Sequence, residues 1–483
     1  MLFQAPNFIP AIPEIFLFAM TMIVLLVELF QGDKYKSLGY YLTQLSLVGA
    51  LVLAIDTYHF ETVITFHGNY ILDHAACIIK IFIYALSIFV LLYSKDYIVE
   101  NQFPKTEYYV LTLIVVLGMS VLVSAYSFIT IYLGLELLSL PLYAMIAFKR
   151  QSAICSEAAM KYFIMGAIAS GMLLYGMSML YGATDGLAID TVVQKINSAG
   201  LSSNLMMMFG VVFIIAGVMF KLGAVPFHMW VPDVYDGAPN SVTLFIASAV
   251  KLAGFALAMR LLIDSLDMFH PAWQHVLIAI SILSMALGNL VAIVQTNIKR
   301  MLAYSSIAHM GYMLLGFISG AMFGYGAALF YMIAYAVMSL GAFGVLTVLS
   351  KAGYEIENIS DLKGLNSRNS WLAFLMLLIM FSMAGIPPSV GFFAKIAVLE
   401  SLVGAHLVWL AALALIFAIV GAYYYIRVVK TMYFDEPDET SAWILAGRVK
   451  NIALGVNCLA VLILGILPTG LFNLCIHAFL NMR

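Results

Sequence analysis

Residues 217–226 read Gly217-Val-Met-Phe-Lys221-Leu-Gly-Ala-Val-Pro226, an apolar run that carries a lysine and then meets a proline. The run lies within a hydrophobic stretch, residues 205–236, long enough to cross the ~30 Å hydrocarbon core of a bilayer. Pro226 has no N–H to donate, so the carbonyl of Leu222, beside the lysine, is freed. Interrupted helices are tolerated at membrane depth only where the loose backbone is buried or lines a polar cavity. A lysine there costs about 2.5–3.5 kcal/mol on insertion scales and normally faces a bundle interior or a hydrated path. The stretch therefore reads as a broken membrane span built around a functional lysine. Ala384-Gly-Ile-Pro-Pro-Ser-Val-Gly-Phe-Phe-Ala-Lys395 repeats the arrangement, with two prolines and Gly391 interrupting residues 370–402 ahead of Lys395.

Outward from these two breaks, apolar runs of membrane-crossing length fall near 9–30, 38–57, 71–94, 108–125, 127–148, 160–182, 205–236, 240–262, 272–294, 301–319, 322–349, 370–402, 406–430 and 451–475. The expected fold is an all-α polytopic membrane protein of about fourteen spans in one membrane domain. With 64% hydrophobic and only 10% charged residues, against roughly 25% charged in soluble domains, no part of the chain is polar enough to form a separate water-soluble domain. The first run follows an uncharged start and is read as a span, not a cleaved signal. A net charge of -2 with no Lys/Arg-rich run excludes nucleic acid as a partner. Cys77, Cys155, Cys458 and Cys475 show no CxxC pairing and read as small packing residues.

Basic loop residues are retained on the cytoplasmic side. Fourteen loop Lys/Arg, among them Lys34, Lys36, Lys149, Lys299, Lys351 and Lys450, fall on one side of this arrangement, and only Lys195 and Arg483 on the other. Both termini are therefore expected outside. The breaks fall in the seventh and twelfth spans, and a period of five spans turns the second copy upside down. The expectation is two inverted five-helix repeats, residues 108–262 and 272–430, preceded by three helices within 1–107 and followed by a last helix at 451–475. Transporters commonly pair inverted repeats around discontinuous helices.

Subtracting the sixteen loop residues from the 23 Lys and Arg leaves seven within spans: Lys80, Lys161, Lys221, Lys251, Arg260, Lys395 and Arg427. Arg260 and Arg427 lie near span ends and are expected to extend to the interface. Glu136 sits mid-span, with Ser139 one turn on and Pro141 beyond; a Glu/Lys pair at about 4 Å and an effective dielectric of ~20 gains about 4 kcal/mol. Such a pair is expected to act as a proton switch, because a few ångströms of separation decide whether the lysine keeps its proton. Lys161 follows Glu157 by one turn, and Lys251 follows Ser248. His309 shares a helix face with Ser305, Ser306 and Tyr312, where a neutral imidazole can relay a proton.

LGLELLSLPLYAMIAF around Glu136, FKLGAVPFHMWVPDVYDGAP around Lys221, QTNIKRMLAYSSIAHMGY from Gln295, and AGIPPSVGFFAK ending at Lys395 together resemble the antiporter-like subunits of respiratory complex I. LPLY after Glu136 and a lysine in the twelfth span set the chain apart from the subunit M branch, which usually carries glutamate at the Lys395 position. The resemblance implies a Glu136–Lys221 pair in a first half-channel, Lys251 and His309 on a central hydrophilic axis, Lys395 in a second half-channel, and Lys161 as a further lysine on the sixth span. It also implies a proton-translocating role in the bacterial inner membrane beside subunit M and the small subunit K. Flavin, iron–sulfur clusters and quinone are then expected in partner subunits and no cofactor in this chain, which has no cysteine cluster and no Gly-rich strand–helix turn. Competing readings are a subunit of a multi-subunit sodium/proton antiporter, a subunit of a membrane-bound hydrogenase, and a non-conducting structural spacer.

Overall fold

The computed structural model describes residues 6–31, 37–199, 204–350, 355–437 and 447–480; the loop residues Lys34, Lys36, Lys351 and Arg483 lie outside these ranges. In chain order the elements are α1 (Ile12–Gln31), α2 (Leu38–Thr57), a hairpin of β1 (Val63–Thr65) and β2 (Tyr70–Leu72), α3 (His74–Glu100), α4 (Lys105–Val123), α5 (Phe128–Ile146), α6 (Ala153–Thr184), α7 (Ile189–Ala199), α8 (Leu205–Leu222), α9 (Trp230–Gly237), α10 (Asn240–Ala247) and α11 (Ala249–Ala258). There follow α12 (His270–Val294), α13 (Ile298–Ile318), α14 (Met322–Leu349), α15 (Leu365–Arg368), α16 (Ser370–Ala384), α17 (Val390–Gly404), α18 (Val408–Tyr433), α19 (Arg448–Ile466) and α20 (Thr469–Leu480).

Among the described residues, 13 helical segments are long and apolar enough to cross a membrane. α16 and α17, of 15 residues each, are the halves of one further broken crossing, so the architecture is that of an all-helical polytopic membrane protein with about fourteen spans. Several boundaries differ from the expected ones. The seventh stretch divides into α8 and the short α9, the sixth span starts at Ala153 rather than at 160, and the last stretch breaks between α19 and α20. Sequence reading missed the β1–β2 hairpin, whose register pairs Ile64 with Ile71, because three-residue strands leave no periodic signal. It also missed an interruption of the eighth span. At Ser248 the backbone turns to φ -112, ψ -92 between α10 and α11, and the serine hydroxyl donates to the Leu244 carbonyl at 2.6 Å, a local alternative to the helix ladder that Ser readily supplies.

Each of the two expected repeats opens with a tightly packed antiparallel pair, α4 with α5 and α12 with α13. In both, a glycine permits backbone contact: a Cβ on Gly118 would lie 2.5 Å from the Leu138 nitrogen, and one on Gly288 would lie 2.6 Å from the Ala308 nitrogen. Small residues that let backbones approach drive helix association in lipid, where apolar burial between helices gains little. α14 is buried from Gly324 to Leu349 and packs against α3, α10, α13, α16, α17, α19 and α20. It is the central pillar, and the polar groups below are arranged around it and α10–α11.

Candidate functional site

The two helix breaks are built alike. α8 ends in Gly223 at φ +77, a left-handed conformation that glycine adopts without Cβ strain. The amides of Gly223 and Ala224 both turn back to the Met219 carbonyl at 2.9 Å. α16 ends in Gly385 at φ +87, and the amides of Gly385 and Ile386 both return to the Phe381 carbonyl, at 3.1 and 2.9 Å. This C-terminal wrap satisfies part of the last turn and leaves the final carbonyls in need of donors.

A lysine fills that need at each break. The Lys251 ammonium, from α11, donates to the Leu222 carbonyl at 2.6 Å. The Lys395 ammonium, from α17, donates to Ala384 at 2.8 Å and to Met383 at 3.1 Å. These are the carbonyls that Pro226, Pro388 and Pro387 leave without an amide four residues on. The sequence reading placed the freed Leu222 carbonyl beside Lys221; the structure gives it to a lysine from the next span instead, because the C-terminal wrap turns the carbonyl toward α11. Each lysine also lies over an aromatic ring, Lys251 5.7 Å from the Trp230 centroid and Lys395 5.4 Å from that of Tyr312.

Lys221 points the other way, into a crevice bounded by Ser139, Tyr143, Tyr162 and Gly166, and donates to the Ser139 hydroxyl at 3.0 Å. The direct Glu136–Lys221 pair implied by the resemblance is not formed here. Glu136 is partly exposed, one turn before Ser139 on α5, and the ammonium engages the serine rather than the carboxylate. His309 sits among tyrosines: its Nδ1 lies 2.7 Å from the Tyr331 hydroxyl and its Nε2 3.0 Å from that of Tyr425. Tyr425 in turn contacts the Ser305 hydroxyl. Tyr331 and Tyr425 come from α14 and α18, so the helix-face pattern of α13 alone could not find them. The buried hydroxyls of Tyr235, Ser306 and Ser339 gather around that of Tyr335 without a closely aligned hydrogen bond of their own. Buried polar groups of this kind are normally satisfied by ordered water.

Lys161 departs from expectation. It is half-exposed and held by two acids, Glu157 at 2.8 Å and Asp233 at 2.7 Å, away from the other three lysines. Asp233 also binds Arg300 at 3.0 Å, which ties α6 and α9 to α13. Of the two arginines expected at the interface, Arg260 lies inside the protein and Arg427 is partly exposed at a helix end. Arg260 is wholly buried, bound to Asp73 at 2.6 Å and Asp264 at 2.8 Å, while Arg427 donates to the Ile293 and Gln295 carbonyls at 2.7 and 2.5 Å and so caps the end of α12. For Arg260 the span-end position favoured snorkelling, but Asp73 reaches it from a distant segment. Lys80 is buried against Glu14 at 2.5 Å and the Tyr70 hydroxyl at 2.9 Å, with Glu14 also accepting from Ser120 at 2.6 Å. Every member of that group is satisfied.

A last cluster links loops of the two halves. Glu355, between α14 and α15, accepts from Lys149 and, at 2.6 Å, from the Tyr97 hydroxyl, with Lys299 3.9 Å away. Burial alone would raise the Glu355 carboxyl, but hydrogen bonds from Lys149 and Tyr97 and the nearby Lys299 charge outweigh it and hold the group below its ordinary 4.5. A depressed carboxylate stabilises the fold above its unfolded value and loses that contribution as pH falls through its folded value. Glu355→Gln is therefore expected to destabilise the protein at neutral pH by about 1–2 kcal/mol, between exposed and buried ion pairs. The gap to the unsubstituted protein should close as pH falls below 4.5, read from thermal denaturation at a series of pH values.

The family model described as "NADH:quinone oxidoreductase/Mrp antiporter, TM" matches residues 125–421. NADH-quinone oxidoreductase subunit N of Coxiella burnetii is 53% identical over 482 residues, covering 99% of both chains. Among solved structures, a chain of respiratory complex I from Thermus thermophilus superposes with a TM-score of 0.81 at 29% identity, covering 95% of this chain and 98% of that one. A chain of an archaeal membrane-bound sulfane sulfur reductase superposes with a TM-score of 0.88 at 22% identity, over 99% of this chain and 98% of its own, a likeness of fold.

Proposed function

The chain belongs to the NADH:quinone oxidoreductase/Mrp antiporter membrane-subunit family, and from that premise we propose that it is the subunit N type of proton-translocating subunit in an NADH-quinone oxidoreductase, moving protons through Glu136, Lys221, Lys251, His309 and Lys395. The observation that carries this reading is the paired construction of the breaks, where Lys251 and Lys395 each hold the carbonyls freed at a broken helix. An ammonium kept there by neutral acceptors has no fixed counter-charge among the described residues, so its proton is the mobile element. The 53% identity to subunit N of Coxiella burnetii favours the NADH-quinone oxidoreductase over the antiporter and hydrogenase readings.

Lys221 supplies the switch. In this conformation it rests on Ser139, with Glu136 one turn away. Swinging the ammonium from the serine to within about 4 Å of Glu136 would gain about 4 kcal/mol at an effective dielectric of ~20. Moving one charge across 100 mV costs about 2.3 kcal/mol, so the pairing is large enough to drive a transfer against the membrane potential. Lys161, bound by two carboxylates, acts at the periphery by biasing Asp233 and the α9 segment. Subunits M and K are the proposed neighbours, electron transfer with its flavin, iron–sulfur and quinone chemistry is assigned to partner subunits, and the lysine-rich loops are placed on the cytoplasmic side with both termini outside.

Glu136→Gln keeps the size and hydrogen-bonding capacity of the side chain and removes its charge. In the assembled complex reconstituted into vesicles it is expected to lower the proton-to-electron ratio and coupled NADH:quinone activity several-fold. An unchanged ratio and rate would overturn the switch.

A further inference from the structure

Glu400 is an exposed carboxylate on α17, one turn before its end at Gly404 and five residues beyond the buried Lys395. No hydrogen bond or ion pair engages it among the described residues. It lies between two cavities. One, of about 120 Å³, is walled by the rings of Phe330, Phe393 and Phe472. The other, of about 360 Å³, is bounded by Ser319 and Ser401 together with the first turn of α14 at Ala321–Gly324, and falls within the ~300–1,000 Å³ range of small-ligand sites. Neither is lined by a lysine or arginine. We propose that this groove is a binding site for a phospholipid with a primary-amine headgroup, a phosphatidylethanolamine, whose ammonium is held by Glu400 while an acyl chain enters the aromatic slot.

The hydrogen-bonding sense of the mouth selects the headgroup. The Ser401 hydroxyl donates to the Val398 carbonyl at 2.7 Å and that of Ser319 to the Gly316 carbonyl at 2.8 Å. Both spend their hydrogen inside the helix and present only lone pairs to the cavity. An ionised carboxylate is likewise acceptor-only, whereas a primary ammonium carries three donors and no acceptor. The carboxylate and the two hydroxyls therefore complement an ammonium, while the first turn of α14, whose N-cap Ala321 makes no side-chain cap, leaves amide donors at the rim for the phosphodiester of the same headgroup. A choline headgroup has the charge without N–H donors, and a phosphatidylglycerol meets like charge. The apolar slot cannot choose between lipids, because lipid tails are already in an apolar phase and gain little on transfer to an apolar protein surface. Discrimination rests on Glu400.

The test uses the assembled complex, exchanged into nanodiscs of equal phosphatidylethanolamine, phosphatidylcholine and phosphatidylglycerol, re-extracted in mild detergent, with retained lipid identified by native mass spectrometry. The unsubstituted complex is expected to retain phosphatidylethanolamine in preference. Glu400→Gln should lower that preference about tenfold, equivalent to ~1.4 kcal/mol. Glu400→Asp should keep it, and Glu400→Lys should shift retention to phosphatidylglycerol. NADH oxidation by partner subunits serves as the control for assembly. An unselective unsubstituted complex, undiminished preference in Glu400→Gln, or a map of the complex with a neighbouring subunit's lysine or arginine against Glu400 would each overturn the proposal.

Discussion

Lys251→Met is expected to cut coupled NADH:quinone activity and proton pumping by about tenfold or more, a loss of ~1.4 kcal/mol or more in the limiting step. The substitution removes two things at once. It deletes a proton carrier, and it leaves the Leu222 carbonyl, which accepts from Lys251 at 2.6 Å, without a donor inside the protein. An orphaned buried acceptor costs about 1–3 kcal/mol, so lost activity alone would not separate carrier from cap. Lys251→Arg separates them. A guanidinium donates to the same carbonyl and keeps the charge, but it does not give up its proton in proteins. The arginine variant should therefore assemble to normal levels and melt close to the unsubstituted complex while still failing to pump. Restored pumping in Lys251→Arg would reduce Lys251 to a structural cap. The matching pair at Lys395, whose ammonium holds Ala384 and Met383, should behave alike if the two breaks share one role.

The largest effect on stability is expected at a residue outside the proposed path. Arg260 is wholly buried and binds Asp73 and Asp264 through one guanidinium nitrogen while its Nε donates to the Val123 carbonyl at 2.9 Å. Arg260→Met strips the charge from between two carboxylates. Breaking a buried pair by removing one partner costs about 3–5 kcal/mol, because the remaining charge is left uncompensated. Here two carboxylates share that fate, and Asp73 also accepts from the Ala76 amide at 2.7 Å to cap α3. The expected result is little or no assembled complex in the membrane. Adding Asp264→Asn should recover part of the loss by removing one stranded charge, and adding Asp73→Asn should recover less, because it also weakens the α3 cap. Equal assembly of Arg260→Met and the unsubstituted chain, judged on native gels, would contradict the role given to this cluster.

Arg260 also shows where reading a membrane sequence runs out. From its position near a span end, extension to the interface is the economical expectation, and the acids within ten residues, Asp264 and Asp267, lie on the span-end side of it. Its other acid partner is 187 residues away. Lys80 is the same case, since its carboxylate comes from Glu14 on the first span. Lys161, counted among the buried lysines, is half-exposed and doubly paired because α9, freed by the first break, carries Asp233 back against α6. Glu136 and Lys221 were legible as two residues on two spans, but that the ammonium meets Ser139 instead is a matter of side-chain direction.

What the sequence determined by itself was set by short-range physics. The spans follow from windows of about twenty residues that no aqueous fold would tolerate, and the two breaks follow from prolines that remove amides and from glycines free to turn left-handed at the helix ends. Those constraints act within one or two turns, so they survive without knowledge of neighbours. Packing across the bundle settles which donor answers each freed carbonyl. Leu222 is met by a lysine 29 residues on, Ala384 by one 11 residues on within its own span, and His309 by tyrosines from two other helices. In a low-dielectric interior every polar group must find a partner, yet the need is local while the supply is set by packing.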